Sequence, residues 1–131
     1  MPDVYIDIGA LSNKANKEYN DAATAAMRKG IETAVKNSPG FTTKKTDKTT
    51  SGYTIRLKVT DIVFGTNTVT CKLSGELLKW PKPEMISTSL TGNGKSIGNS
   101  SAAAVADTIE SIAESMTKDK ILPTIRRLEA Q

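Results

Sequence analysis

Gly92-Asn93-Gly94-Lys95-Ser96 is the nearest thing to a reactive signature in this 131-residue chain. It shares the ending of a phosphate-binding loop, in which glycines let the backbone approach a phosphate, lysine neutralises it and serine reaches a metal. The full pattern needs a glycine five residues before Gly94, where Ser89 stands. It also needs a helix that opens at the Lys-Ser pair and points its free N–H groups at the anion. Ile97-Gly98-Asn99-Ser100 intervenes. The segment Thr91–Ser101 therefore reads as a flexible loop that uses glycine and asparagine to turn.

Cys71 is the single thiol, and the chain has no histidine to act as its base. Its alternation with Val69 and Leu73 predicts an inward, apolar role. Asp3 and Asp7 share one face of a first strand, yet two carboxylates are short of the six or so oxygens a hard cation takes. Asp61 and Glu76 add candidates without a spacing signal. No metal, no cofactor and no catalysis is expected.

Cations cluster better than carboxylates. Lys44, Lys45 and Lys48 fall in one polar stretch, and Arg56, Lys58 and Lys72 share the parity of the wet face of a hairpin. Such a surface suits phosphates. Sheets that read single strands also stack bases on aromatic rings, and no aromatic residue interleaves these cations. The face reads as solvated or as a protein contact. Trp80, between Lys79 and Pro81, is the only tryptophan. It suits either an interface anchor or a plug at the end of the sheet.

The elements that position these residues follow from periodicity. Tyr53, Ile55, Leu57, Val59 and Val63 alternate with Thr54, Arg56, Lys58 and Thr60, and Val69, Cys71, Leu73 and Leu77 alternate with Thr70, Lys72, Ser74 and Glu76. Strands Tyr53–Phe64 and Thr68–Lys79, turning at Gly65-Thr66-Asn67, then have one apolar and one polar face. Asp3–Ala10 reads as the first strand. Tyr19, Ala23, Ala26, Met27, Gly30, Ile31, Ala34 and Val35 stripe a helix over about Lys17–Lys36, stopped by Pro39-Gly40. Gly30 in that stripe implies close approach to the sheet. Phe41–Lys45 suits a short edge strand, Thr46–Gly52 a polar loop, and Met85–Leu90 a further strand. Ala104, Val105, Thr108, Ile109, Ile112, Ala113 and Met116 stripe a second helix, with a break or kink at Pro123.

The predicted architecture is one α+β domain over residues 1–131. A single, mostly antiparallel sheet of four or five strands carries two main helices on one face, in the order β-α-β-β-β-α. The formal charge of +4 permits acidic partners without requiring them. One cysteine excludes an internal disulfide. No apolar run reaches the ~18 residues a membrane-spanning helix requires. The start, Met1-Pro2-Asp3-Val4-Tyr5-Ile6, lacks the basic and apolar regions of a signal peptide, which predicts a cytoplasmic protein if the chain is complete and a periplasmic or envelope one if a leader was removed.

Val4–Ile8, Ala22–Phe41, Tyr53–Val63, Leu73–Leu78 and Ala102–Leu128 together resemble a group of bacterial envelope domains. These are the curli-export lipoprotein, the outer-membrane activators of penicillin-binding proteins and the amino-terminal domain of the Tol propeller protein. The resemblance lies in element order and covers most of the chain. It implies a non-enzymatic domain that binds envelope proteins or assembles into rings. The expected function is thus a protein-interaction or self-assembling scaffold domain, with a nucleic-acid-binding module as the alternative. Expected contact residues are Arg56, Lys58, Lys72, Trp80, Lys44, Lys45 and Lys48. The partner is another protein or a second copy, without membrane insertion.

Overall fold

Where side chains alternate most regularly, the hairpin forms. The computed structural model describes residues 2–131. Its elements in order are β1 (Val4–Asn13), a 3₁₀ turn (Lys17–Tyr19), α1 (Asn20–Lys36), β2 (Phe41–Thr42), β3 (Gly52–Gly65), β4 (Thr68–Trp80), β5 (Met85–Ile97), α2 (Ala102–Met116), a π-helical turn (Thr117–Ile121) and α3 (Leu122–Glu129). The five strands lie in the order β2-β1-β3-β4-β5. β3–β4 and β4–β5 pair antiparallel, while β1 is parallel to both β2 and β3. The α+β class holds, and the sheet is mixed. A helix between β1 and β2 returns the chain to the starting end, and a parallel neighbour requires such a crossover.

The stripe of α1 packs as its spacing predicts. Tyr19, Ala23, Ala26, Met27, Gly30, Ile31, Ala34 and Val35 are all buried. The Asn16 side chain caps the start by accepting from the Glu18 N–H. Gly30, however, makes room for α2 and not for the sheet. A Cβ there would lie 2.6 Å from the Glu110 carbonyl oxygen and 2.8 Å from the Ala113 Cβ. α1 and α2 lie side by side on one face of the sheet, so one helix must yield volume to the other.

Two bulges shift the alternation. In β3, Val59 faces Leu73 and Asp61 faces Lys72, which leaves Thr60 as an extra residue. Beyond it the inward positions become Ile62 and Phe64. Val63, expected on the apolar face, is turned outward and is 50% exposed. In β1 the register shifts between Ile8 and Leu11, which keeps Ile6, Ile8 and Leu11 on the core side and carries the strand on to Asn13. A bulge adds one residue without changing composition, so strict period-two counting passes over it.

Thr91–Ser101 is the larger correction. This stretch continues β5 as far as Ile97, paired with β4 through Thr68↔Ile97 and Leu73↔Gly92. Its glycines suit a strand overlaid by a helix. A Cβ on Gly92 would meet Met116 Sδ at 2.6 Å, and one on Gly94 would meet Ile112 Cγ1 at 2.8 Å. α2 therefore settles onto a bare stretch of β5. The helical path then runs through Pro123 without a break. The π turn precedes it, with the Leu122 N–H donating to the Thr117 carbonyl, and the proline sits in the first turn of α3, where a missing N–H costs little.

Between helices and sheet lies one apolar cluster that includes Ile6, Met27, Ile31, Ile55, Leu73, Ile109, Met116 and Ile125. α3 is tied to β3 by Tyr53, whose hydroxyl donates to Glu129 Oε2 at 2.6 Å. Burial first, then the Glu129 carboxylate, push the phenol up to about 12. A phenol whose pKa rises on folding stabilises the native state below its unfolded value near ~10, and that contribution fades as pH climbs toward its folded value. Tyr53→Phe is expected to cost about 1 kcal/mol at neutral pH. It should also flatten part of the stability loss between pH ~10 and ~12, as read by urea melts at each pH. Parallel wild-type and variant curves over that window would refute this role for the Tyr53–Glu129 contact.

Candidate protein-interaction surface

With both helices on one side, no helix or second sheet among the described residues lies over the opposite face of the sheet. Its residues come from the outward parities of β1, β3 and β4. Tyr5 and Asp7 lie on β1, Thr54, Arg56 and Lys58 on β3, and Lys72, Ser74, Glu76, Leu78 and Trp80 on β4. Arg56, Lys58 and Lys72 thus share the face expected of them. Their neighbours were harder to foresee. Arg56 Nη1 lies 3.8 Å from Glu76 Oε1, Lys72 stands directly across from Asp61, and Lys58 across from Ser74. Opposite charges on facing strands pair locally. The surface is a mixed-charge ladder and not a cationic track.

Trp80 gathers the second group. Its ring meets Tyr5 edge-on, with centroids 4.8 Å apart and planes at 72°. Lys45 Nζ lies 5.4 Å from the Trp80 centroid, within cation–π range. Next to Trp80, Leu78 is buried against Thr54 on this outer side, apart from the main core. Thr54 donates its hydroxyl to Asp7 Oδ2 at 3.0 Å. Burial first, then Asp7, raise the Tyr5 phenol. Tyr5, Leu78 and Trp80 thus form an aromatic and apolar corner that remains partly open. Trp80 is neither a free anchor nor a full plug. It is a half-buried ring with a fixed tilt.

Lys44 and Lys48 remain in the exposed loop between β2 and β3. That loop is held by short bonds such as Lys44 N–H to Thr42 Oγ1 and Thr46 N–H to Thr49 Oγ1. Lys45 joins the Trp80 corner, while Arg56, Lys58 and Lys72 lie further along the sheet. Tyr5, the partner that orients Trp80, escaped the sequence reading. The signal was its place in β1, but only the β1–β3 pairing sets it beside the end of β4.

Cys71 is fully buried, and burial, then Asp61, push its thiol up to about 11, away from the thiolate a nucleophile needs. Lys95-Ser96 lies within β5, and α2 opens only at Ala102 with Ser101 as its cap, so no helix N-terminus faces that pair. Asp3 and Asp7 have no third acidic, histidine or cysteine side chain near enough to form a ligand cluster among the described residues.

No family model matches this chain, and no curated protein does. Solved structures do. A Xanthomonas campestris protein of family DUF330 aligns over 100% of this chain and 90% of its own, with TM-score 0.62 and 12% identity. A Caulobacter crescentus protein described as a candidate lipoprotein aligns over 95% and 90%, with TM-score 0.55 and 14% identity. A minor lipoprotein of Acinetobacter baumannii aligns over 87% and 89%, with TM-score 0.52 and 11% identity. The likeness is one of fold. It agrees with the bacterial lipoprotein-type architecture that the element order resembles, while none of the three is described as a curli-export, penicillin-binding-protein-activator or Tol protein. No helix among the described residues is long and apolar enough to cross a membrane.

Proposed function

We propose that this chain is a non-catalytic protein-interaction domain that self-associates within a bacterial envelope assembly. The observation that carries this reading is the uncovered sheet face with a pre-set aromatic corner at Tyr5 and Trp80. Rigid aromatic groups that are half desolvated before binding lose little entropy on contact, which is why they recur as anchors at protein interfaces. The shared fold with bacterial lipoproteins supports an envelope location. The buried, high-pKa thiol and the strand-bound Lys95-Ser96 support a role without catalysis. Charge pairing on the outer face speaks against the nucleic-acid alternative, because Arg56 and Lys72 already face carboxylates.

Multi-angle light scattering from micromolar to millimolar protein tests this reading. The mass is expected to rise above the 14.0 kDa of one chain. A constant monomer mass throughout that range would defeat the self-association reading.

A further inference from the structure

The sheet ends on one side in the two residues of β2 and on the other in the thirteen of β5. Long edge strands in soluble proteins usually carry charges, prolines or a covering element, because their unpaired N–H and C=O groups recruit other strands. β5 has no proline and a single charge, Lys95. Beside it runs an open groove of about 320 Å³ between the strand and α2, whose lining includes Thr91, Asn93, Lys95, Ser111, Ser115 and Lys120.

Which backbone groups face out follows from one contact. Lys120 Nζ donates to the Thr91 carbonyl from the helix side, across the open edge. Residues two apart in a strand point their backbone groups to the same side. Thr91, Asn93 and Lys95 therefore direct their N–H and C=O away from β4, while Gly92 and Gly94 direct theirs to Leu73 and Cys71. Among the described residues Lys120 is the side chain that hydrogen-bonds to this edge, at the Thr91 carbonyl.

We propose that this edge is a self-association surface, at which two copies join β5 to β5, antiparallel, about a two-fold axis at Asn93. The inference deepens the self-assembly reading above and depends on it. Three features favour a second copy over an unrelated strand. A two-fold at Asn93 sets each Lys95 opposite a Thr91 of the other copy, so the only charge on the strand never meets its like. It sets Gly92 opposite Gly94, so that at the centre of the seam neither strand adds a side chain on the helix side, where Ile112 and Met116 already lie. And α2 lies over β4 and β5. One added strand spacing of ~4.8 Å would bring the two copies of α2 to roughly 9–10 Å, the ordinary separation of packed helices. Among the residues α2 turns toward the groove, Ser111 and Ser115 are small enough for that approach. The two five-stranded sheets would become one of ten strands, with an isologous interface.

Asn93→Pro is the decisive variant. Its N–H faces the free edge, so proline removes no bond within the chain, and edge positions tolerate it. Asn93→Cys is the companion. Facing residues of a hydrogen-bonded antiparallel pair lie ~5.5 Å apart at Cα, within disulfide range, and Cys71 is too buried to compete. In light scattering across the same concentrations, Asn93→Pro with an unchanged circular dichroism spectrum is expected to weaken association at least tenfold. Oxidised Asn93→Cys should run as a covalent dimer. Amides of Thr91, Asn93 and Lys95 should gain hydrogen-exchange protection as wild-type protein is concentrated. If wild type associates while Asn93→Pro associates equally and Asn93→Cys does not cross-link, this edge is not the seam, and the broader reading stands. If wild type stays monomeric, with the edge open or taken only by an extended peptide of another protein, both this proposal and the self-association reading are overturned.

Discussion

Gly30→Ala is expected to destabilise the protein by about 1–3 kcal/mol, and Gly30→Leu by more. The sign is the informative part. Alanine in a helix interior is intrinsically favoured over glycine by about 1 kcal/mol. Judged by propensity alone, the change should stabilise α1. The space decides otherwise. The new Cβ would stand 2.6 Å from the Glu110 carbonyl and 2.9 Å from the Glu114 nitrogen, both backbone atoms of α2. Backbone in the middle of a packed helix cannot step aside as a side-chain tip does. Either α1 and α2 separate by some tenths of an ångström along their whole seam, or the contact stays compressed. Both cost more than the propensity gain. Gly40 is the matched control. It has φ +90 and nothing within 4 Å of a built Cβ, so alanine there meets backbone strain alone, which costs about 1 kcal/mol. Urea denaturation of the three variants separates these terms. A Gly30→Ala protein that melts at a higher urea midpoint than wild type would show that the helices are not in contact at this point.

That glycine also marks how far the sequence could be read. Its place in the apolar stripe announces a close approach, and the approach is real. The identity of what approaches was beyond reach, since a stripe records the buried side of a helix and not the element lying on it. The same limit governs the hairpin. Alternation over Tyr53–Val59 and Val69–Leu77 names the inward residues correctly, because each inward position is apolar and each outward one polar. It fails at Val63, where one inserted residue at Thr60 reverses the parity, and Val63 and Ile62 are both apolar enough to fit either way.

The second half of β5, Thr91 to Ile97, was lost for a related reason. Gly92, Asn93, Gly94 and Ser96 have low strand propensity, and together they look like a loop. Propensity describes a strand that must supply its own packing. Here α2 supplies it, with Ile112 and Met116 filling the space the glycines leave. The candidate surface was legible residue by residue but not as an arrangement. Arg56, Lys58 and Lys72 were on the expected face. The placement of Glu76 beside Arg56 and of Asp61 across from Lys72 depends on the register between β3 and β4, and the Trp80 corner depends on β1 lying parallel beside β3. Register and strand order are long-range facts, and local periodicity holds no trace of them.

The interlock of α2 with β5 can be tested from both sides. Met116 is almost fully buried, and its side chain lies over two glycines. A Cβ on Gly92 would come within 2.5 Å of Met116 Cγ, and one on Gly75 within 3.4 Å of Met116 Cε. Met116→Ala should therefore cost about 3–5 kcal/mol, toward the upper part of the range for truncations of this size. Cavities cost least where neighbouring side chains can swing in, and here the floor is glycine backbone with nothing to swing. Gly92→Val alone should also destabilise, by about 1–3 kcal/mol, since its branches would enter space that Met116 occupies. In the Met116→Ala background that collision is gone. The valine then fills part of the void and brings its own preference for a strand. The double variant is expected to be more stable than Met116→Ala by about 1–2 kcal/mol, so that the same substitution changes sign with its background, which is the mark of two residues sharing one volume. Thermal and urea melts of the four proteins in the cycle measure this directly. Additive effects would mean that Met116 does not rest on Gly92, and that α2 does not seat on β5 through these two positions.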